Sequence, residues 1–545
     1  DAKNGAETAG GNSTDLDLVD KWVNKVSNPG LTDLDQTNNN QRPVFNDLNL
    51  NYNPVITFDG NNDKLNKSVL GSDLFDTDNN TIVMVHKYNS GVVYFKWEQG
   101  SSGNRVGYEN NGNNVRFDFP TDGVGNQNIS NFNYNANGQI VTATTTSGST
   151  TLSDMGVPEA PDNTTGSLNN TFTSELSIGD NVSFSVASDM DYAEIIVYNR
   201  TLSAVELNKV ESYLAIKYGM TLGINGVSLN YNSAAGTTVW DVTLNNGYNF
   251  DIGGVSRDDN TGQDQRKSKS INLNGANSRD ILVMSNGLDF NVPSQFTTDA
   301  SFMIWGHNDG TLTNTGGAVN YTTDNNQTMS TIFDRVWKSQ ETGVVDDVTL
   351  QFDMSNSSIE LAGGVTDYNN VRLLVDEDGD FSNGATAYSP TSFDATNNLV
   401  NFQHDFSPSD GNDLTQNNGY FFTLASIESI VANFAMNDTT ICAGESITFS
   451  DSSFTAPTGW DWTFNGGDIT TANTQGPHTV TFDTPGTYDI ILTASDANSS
   501  DDSTLQVVVN AYPTIDAGIN DTICDGENYT LTATVTGVNA TTPVW

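Results

Sequence analysis

Residues 460–464 read Trp460-Asp461-Trp462-Thr463-Phe464, and residues 485–490 read Pro485-Gly486-Thr487-Tyr488-Asp489-Ile490. In the first stretch three large aromatics alternate with two polar residues. An extended backbone therefore turns Trp460, Trp462 and Phe464 to one face and Asp461 and Thr463 to the other. That is the pattern of a half-buried strand, and the Pro-Gly pair marks a turn into another. Short strand-like runs recur outward from it at Thr81–His86, Val92–Trp97, Ser301–Trp305, Val371–Val375 and Tyr488–Ala494, broken by Asn, Gly and Asp. Many short strands at this spacing predict an all-β fold of tandem β-sandwich domains. One segment departs from the pattern. Ser203-Ala204-Val205-Glu206 forms a capping box, Leu207, Val210, Leu214 and Tyr218 follow at helical spacing, and Gly219 is a natural stop. The spacing predicts an amphipathic helix over 204–218, directly after the strand-like run Ala193–Tyr198.

The chain has 545 residues, which at roughly 100–200 residues per domain implies three to five domains. It carries 21 Lys and Arg against 67 Asp and Glu, a formal charge of −46. Such a balance excludes nucleic acid, whose phosphates need clustered cations, and disfavours anionic membrane surfaces. It favours solubility and the capture of hard cations by carboxylates. Charged residues make up only 16% of the chain, so this is not a disordered acidic tail, and 36% hydrophobic residues suffice for a core in each domain. No apolar run reaches the roughly 18 residues of a membrane-spanning helix, so no direct membrane insertion is expected. Neither a Met start nor a basic, then apolar leader precedes Asp1. The ends read as those of a piece of a longer protein.

An internal repeat lies near the C-terminus. Asn437-Asp438-Thr439-Thr440-Ile441-Cys442-Ala443-Gly444-Glu445 is echoed by Asn520-Asp521-Thr522-Ile523-Cys524-Asp525-Gly526-Glu527, which puts the two cysteines 82 residues apart. Equivalent cysteines of successive beads lie too far apart for a Cys442–Cys524 disulfide. Each is then a thiol, or Cys524 pairs outside the sequence in hand.

Three resemblances cover most of the chain. Residues 1–222 resemble a laminin-G, concanavalin A-like jelly roll of the Bacteroidota kind, on Val55-Ile56-Thr57-Phe58-Asp59-Gly60-Asn61-Asn62-Asp63 and on Ala193–Ser203 with the helix that follows. Residues 223–427 are similar to a β-sandwich domain of unclear function that commonly comes next, on Ile252–Asp259, Ile304–Asn308 and Arg335–Lys338. Residues 428–510 resemble a PKD domain, which is immunoglobulin-like, on the aromatic strand and Pro485–Ile490. Residues 511–545 look like the start of a further such repeat. The combination resembles surface proteins exported by type IX secretion, gliding-motility adhesins among them. It implies an extracellular, outer-surface or secreted location and partners in the secretion and attachment machinery.

Candidate chemistry is sparse. His86, His307, His404 and His478 are scattered, and neither H-E-x-x-H nor G-x-S-x-G occurs. The E-x-D-x-x-E strand of hydrolases on the jelly-roll fold is missing too, and the resemblance makes Glu194 structural. No catalysis is expected. The metal candidate is Asp376-Glu377-Asp378-Gly379-Asp380, in which Asp376, Asp378 and Asp380 could converge on a structural calcium. A solvated acidic turn is the other reading. The pair Asp59 and Asp63 reads as a turn-former before a calcium site, and Asp258 and Asp259 beside Arg257 as a polar loop. Tyr94, Trp97 and Tyr108 could stack on sugars, although alternation sends Trp97 to the core. Asp438-Thr439-Thr440, Asp502-Ser503-Thr504 and Asp521-Thr522-Ile523 match a short O-glycosylation pattern of Bacteroidota.

Two functions follow. The first is a cell-surface adhesin or filament component that binds surfaces, glycans or partner proteins. The second is the non-catalytic, carbohydrate-binding portion of a larger secreted polysaccharide-degrading enzyme.

Overall fold

A computed structural model describes residues 6–8, 11–12, 16–25, 33–91, 95–98, 105–111, 114–119, 127–159, 167–171, 173–181, 186–224, 226–271, 281–313, 321–324, 327–355, 370–406, 419–427, 430–455, 457–496, 499–530 and 532–536. The chain divides into two compact units, 1–319 with 331–425, and 320–330 with 426–545. The protein is a multidomain, almost entirely antiparallel β protein, as the strand pattern predicts.

The first unit begins with two antiparallel sheets. One sheet runs, in spatial order, through Val157–Pro158, Ser149–Asp154, Gln139–Thr146, Asn80–Gly91, Val186–Tyr198, Asn53–Asp59 and Val44–Leu50. The centre of the other is Arg105–Asn111, Phe95–Glu98, Thr173–Ile178 and Leu65–Leu70. Phe58, Met84, Trp97, Tyr108, Phe117, Met190 and Tyr192 fill the space between them. Thr81–His86 does not bury one face only. All six residues are buried, because Ile82 and Met84 point into this sandwich while Val83 and Val85 point out of its back. A sheet covered on both faces needs a continuous apolar run, not an alternating one.

What covers the back is the helix Ala204–Tyr218. The expected capping box is present: the Ser203 side chain accepts from the Glu206 N–H, and the Glu206 side chain accepts from Ser203 N–H. Gly219 closes the helix with φ +64°, a left-handed conformation, and a Cβ there would meet the Lys269 carbonyl oxygen at 2.0 Å. Only glycine meets both demands. A single-turn helix at Gly71–Leu74, on which the sequence pattern is silent, also forms.

The helix and the sheet back share their core with the segment that follows. Val55, Val83, Val85, Leu214 and Tyr218 cluster with Leu222, Tyr231, Trp240, Ile252, Phe302 and Ile304, so the chain passes from 222 to 223 inside one hydrophobic core. The later strands of this unit form two more sheets, one ordered Gln263–Gln265, Phe250–Asp258, Ser301–His307, Trp337–Thr342. The other is ordered Lys267–Lys269, Leu282–Asn286, Val348–Asp353, Leu399–His404, Ser392–Asp394. Trp305, Trp337, Phe352, Phe402 and Phe422 pack in a second core.

In the second unit, Gly459–Phe464 lies beside Gly486–Ser495 in a sheet that also holds Ser500–Asn510 and Thr440–Cys442. The facing sheet is Phe434–Met436, Glu445–Asp451, His478–Phe482. Trp462 and Phe464 are fully buried and stacked at 5.6 Å, while Asp461 is exposed. Trp460 sits at the rim, donating from its indole to Asp451 Oδ2 at 3.0 Å. Cys442 and Cys524 are free thiols.

Candidate functional site

The residues singled out in the sequence are mostly absorbed by folding. Asp376 is buried, and its Oδ1 accepts from the backbone N–H groups of Asp378 and Gly379; Asp378 in turn accepts from Asp380 N–H, and Asp380 from Ser382. The three carboxylates thus cap successive turns. Burial raises the Asp376 pKa, with the neighbouring Asp378 adding to it. Among the described residues no group of three or more His, Cys, Asp or Glu side chains is placed to hold a metal ion.

Asp63 accepts from Asp59 N–H at 3.0 Å, and burial together with the Asp59 charge pushes its carboxyl up to about 7. This pair closes the turn. Arg257 grips Asp259 at 2.8 Å, and Asp258 accepts from Ala234 N–H, which makes that loop polar structure. Trp97 is fully buried and donates to the Val69 carbonyl at 3.3 Å. Tyr108 is equally buried, with its hydroxyl on the Ile82 carbonyl at 2.9 Å. Neither can stack on a sugar, and Tyr94 lies outside the described residues. His307 accepts Asp309 N–H at Nδ1 and so donates from Nε2 to Asp251 at 2.9 Å.

A cleft of about 580 Å³ in the first unit was not anticipated. Its floor is built by a polar latch. The turn Asn51-Tyr52 adopts positive φ at both residues, 49° and 61°, as a tight hairpin between Val44–Leu50 and Asn53–Asp59 requires. Asn51 is almost wholly buried; its amide donates to the Lys217 carbonyl at 3.1 Å and to Ser268 Oγ at 2.9 Å, and its Oδ1 accepts from Lys269 N–H at 2.7 Å. Asn53 donates to the same Lys217 carbonyl at 2.7 Å and to Gln265 Oε1 at 3.0 Å, and Gln265 donates back to the Asn51 carbonyl at 3.0 Å. Three side-chain amides thus join the hairpin, the end of the helix and the 265–269 segment, and they satisfy carbonyls that burial would otherwise strand.

Beside the latch Lys217 donates to Glu194 Oε2 at 2.9 Å and to Tyr213 Oη at 3.0 Å, and Tyr218 donates to the same carboxylate oxygen at 3.0 Å. Burial works against the Glu194 charge, but Lys217 and these hydrogen bonds outweigh it and hold the carboxyl below its ordinary range. The wall is the turn and strand Thr261–Lys267, with Tyr52, Tyr213 and Pro293 opposite. Asp264 is the sole carboxylate among the lining residues, and Arg266 holds it through Nε at 2.9 Å and a second, shorter contact. Two groups are left over. The buried Gln263 Nε2 has no hydrogen-bond partner among the described residues. The Lys267 ammonium lies 3.8 Å from the Phe290 ring centroid and 4.8 Å from that of Tyr52, with no carboxylate within 4.0 Å among the described residues. Burial pulls its pKa below the ordinary lysine value.

The sequence carried one overlooked signal for this site. Arg266-Lys267-Ser268-Lys269 holds three of the chain's 21 basic residues in four positions. A concentration of cations in so acidic a chain marks a place where local charge departs from the global one.

Comparison with known proteins divides the chain in a similar way. The PKD domain model matches residues 431–509, so a PKD domain is present. A domain of unknown function (DUF8202) matches residues 206–412, which include all but the first two residues of the helix and every lining residue of the cleft except Tyr52 and Asn53. No curated protein matches the chain. Among solved structures, the binding domain of botulinum neurotoxin serotype D is similar at 11% identity and a TM-score of 0.31, covering 72% of this chain and 93% of that one. The serotype D ligand-binding domain in complex with N-acetylneuraminic acid is similar at 12% identity and a TM-score of 0.29, covering 76% and 96%. The serotype G binding domain is similar at 11% and 0.28, covering 73% and 91%. Likeness at these scores carries no inference about ligand or mechanism.

Proposed function

We propose that the chain is part of an extracellular, cell-surface adhesin or filament, that its cleft binds glycans, and that these domains catalyse nothing. The observation that carries this reading is the cleft itself. A hydrogen-bonded floor lies beside the rings of Tyr52 and Tyr213, and the Lys267 ammonium has no carboxylate partner among the described residues. A polyhydroxylated ligand supplies oxygen acceptors for such a donor, and its apolar ring faces suit Tyr52 and Tyr213. Glycoside hydrolysis would need two carboxylates flanking the bond. The lining has Asp264 alone, tied to Arg266, which supports binding without turnover.

The laminin-G-like resemblance of residues 1–222, the PKD domain and the acidic surface support export by a type IX route in a member of the Bacteroidota, with attachment at the outer surface. The PKD domain then serves as a spacer. A glycan array probed with the whole chain tests the reading. Retention of a defined subset of glycans, without release of reducing ends, is the expected result. A blank array with a folded chain would overturn glycan binding, and new reducing ends would overturn the absence of catalysis.

A further inference from the structure

We propose that the cleft selects acidic saccharides, with a carboxylate or sulfate of the ligand seated at Lys267. The inference rests on the glycan-binding reading and adds the charge of the ligand to it. Three cations line the cleft, and two are already matched: Lys217 by Glu194, and Arg266 by Asp264. Lys267 is different. It is held in place by two aromatic faces, which fix the position of an ammonium without neutralising it. An uncompensated, half-buried cation stands ready for one anionic group, and a charge-assisted hydrogen bond there is stronger than a neutral one.

Gln263 does not share in this contact, because its Nε2 is wholly buried, and Gln265 is consumed by the latch. The selecting contact is therefore the Lys267 ammonium alone. The chain's charge of −46 does not forbid this, because screening limits exposed charges to roughly 8 Å at physiological salt, and within that range the lining decides.

The test is a calorimetric titration of the whole chain with three probes: oligogalacturonate, its fully methyl-esterified counterpart, and sulfated dextran oligosaccharide. Lys267→Gln and Lys267→Arg are titrated alongside. Oligogalacturonate or the sulfated probe is expected to bind at least about tenfold more tightly than the ester, from one charge-assisted contact. Lys267→Gln is expected to remove that preference and Lys267→Arg to keep it, and the two acidic probes distinguish carboxylate from sulfate. Equal binding of acid and ester, or a preference that survives Lys267→Gln, would overturn acid selection while leaving a glycan-binding cleft in place. If no probe binds and the glycan array is also blank, the underlying reading fails instead.

Discussion

The PKD domain and the junction around Asn51 both hold β-sheets together, but with opposite materials. In the PKD domain Trp462 stacks on Phe464, and Phe449 and Phe482 lie close around them, all fully buried. At the junction the closest contacts are Asn51, Asn53 and Gln265, three amides whose partners lie from 2 to 218 residues away in sequence. Aromatic packing is tolerant of direction and stabilises in proportion to the area it buries. Amide hydrogen bonds add little net stability but fix geometry, because a misaligned partner is left unsatisfied. The first device suits a bead in an array. The second suits the floor of a site, where sub-ångström placement matters.

This contrast predicts unequal mutational costs. Trp462→Ala should have the largest effect, about 4 kcal/mol, measured as lost protection from hydrogen exchange in the strands over 478–509. A change below about 1 kcal/mol would mean that the aromatic cluster is not the main support of this domain. Asn53→Leu should cost about 2 kcal/mol by removing one of the two donors on the Lys217 carbonyl and leaving buried Gln265 Oε1 without its donor, and should speed exchange over 213–219 and 265–269. If leucine is tolerated without loss, the latch is not structural.

A third expectation concerns pH. Glu211 sits on the buried face of the helix, accepting from Thr142 Oγ1 at 2.9 Å, and burial raises its carboxyl from 4.5 to about 7. The folded state then holds a proton that the unfolded state releases between those values, so this group's contribution to stability grows as pH falls from about 7 to 4.5. Asp63 and Asp154, raised by burial to about 7 and about 6, act in the same direction. Glu211→Gln should flatten part of that slope and leave the protein at least as stable at pH 8. An unchanged slope would show that Glu211 is ionised in the folded state. The smallest effect is expected from chelation. Removing divalent cations should not shift thermal unfolding of the first unit, whereas a lowered midpoint lost on replacing Asp376, Asp378 and Asp380 would return calcium to that turn.

How much of this was legible in the sequence differs between the same two regions. The PKD strand announces itself because Trp462 and Phe464 find their core partners by local alternation. The helix is equally legible, since Ser203, Glu206 and Gly219 are local signals for its two ends. Asn51-Tyr52-Asn53, by contrast, reads as an ordinary turn. Nothing local says that its amides will be buried, because what buries them is the helix end and the 265–269 segment. The Thr81–His86 run carried the information that its sheet is covered twice, in the unbroken Ile82-Val83-Met84-Val85, but period-two reading passes over it. The cleft was missed for a related reason. Its lining comes from segments beginning at residues 52, 213, 261 and 293, and the only local trace was an unusual density of cations at 266–269.

The most direct test of the account is hydrogen exchange on the whole chain with and without a glycan retained by the array. Protection should appear over 261–267 and at the 51–53 turn, and nowhere in 431–509. Protection confined to the PKD domain, or to the Asp376–Asp380 turn, would contradict the assignment of the cleft as the binding site.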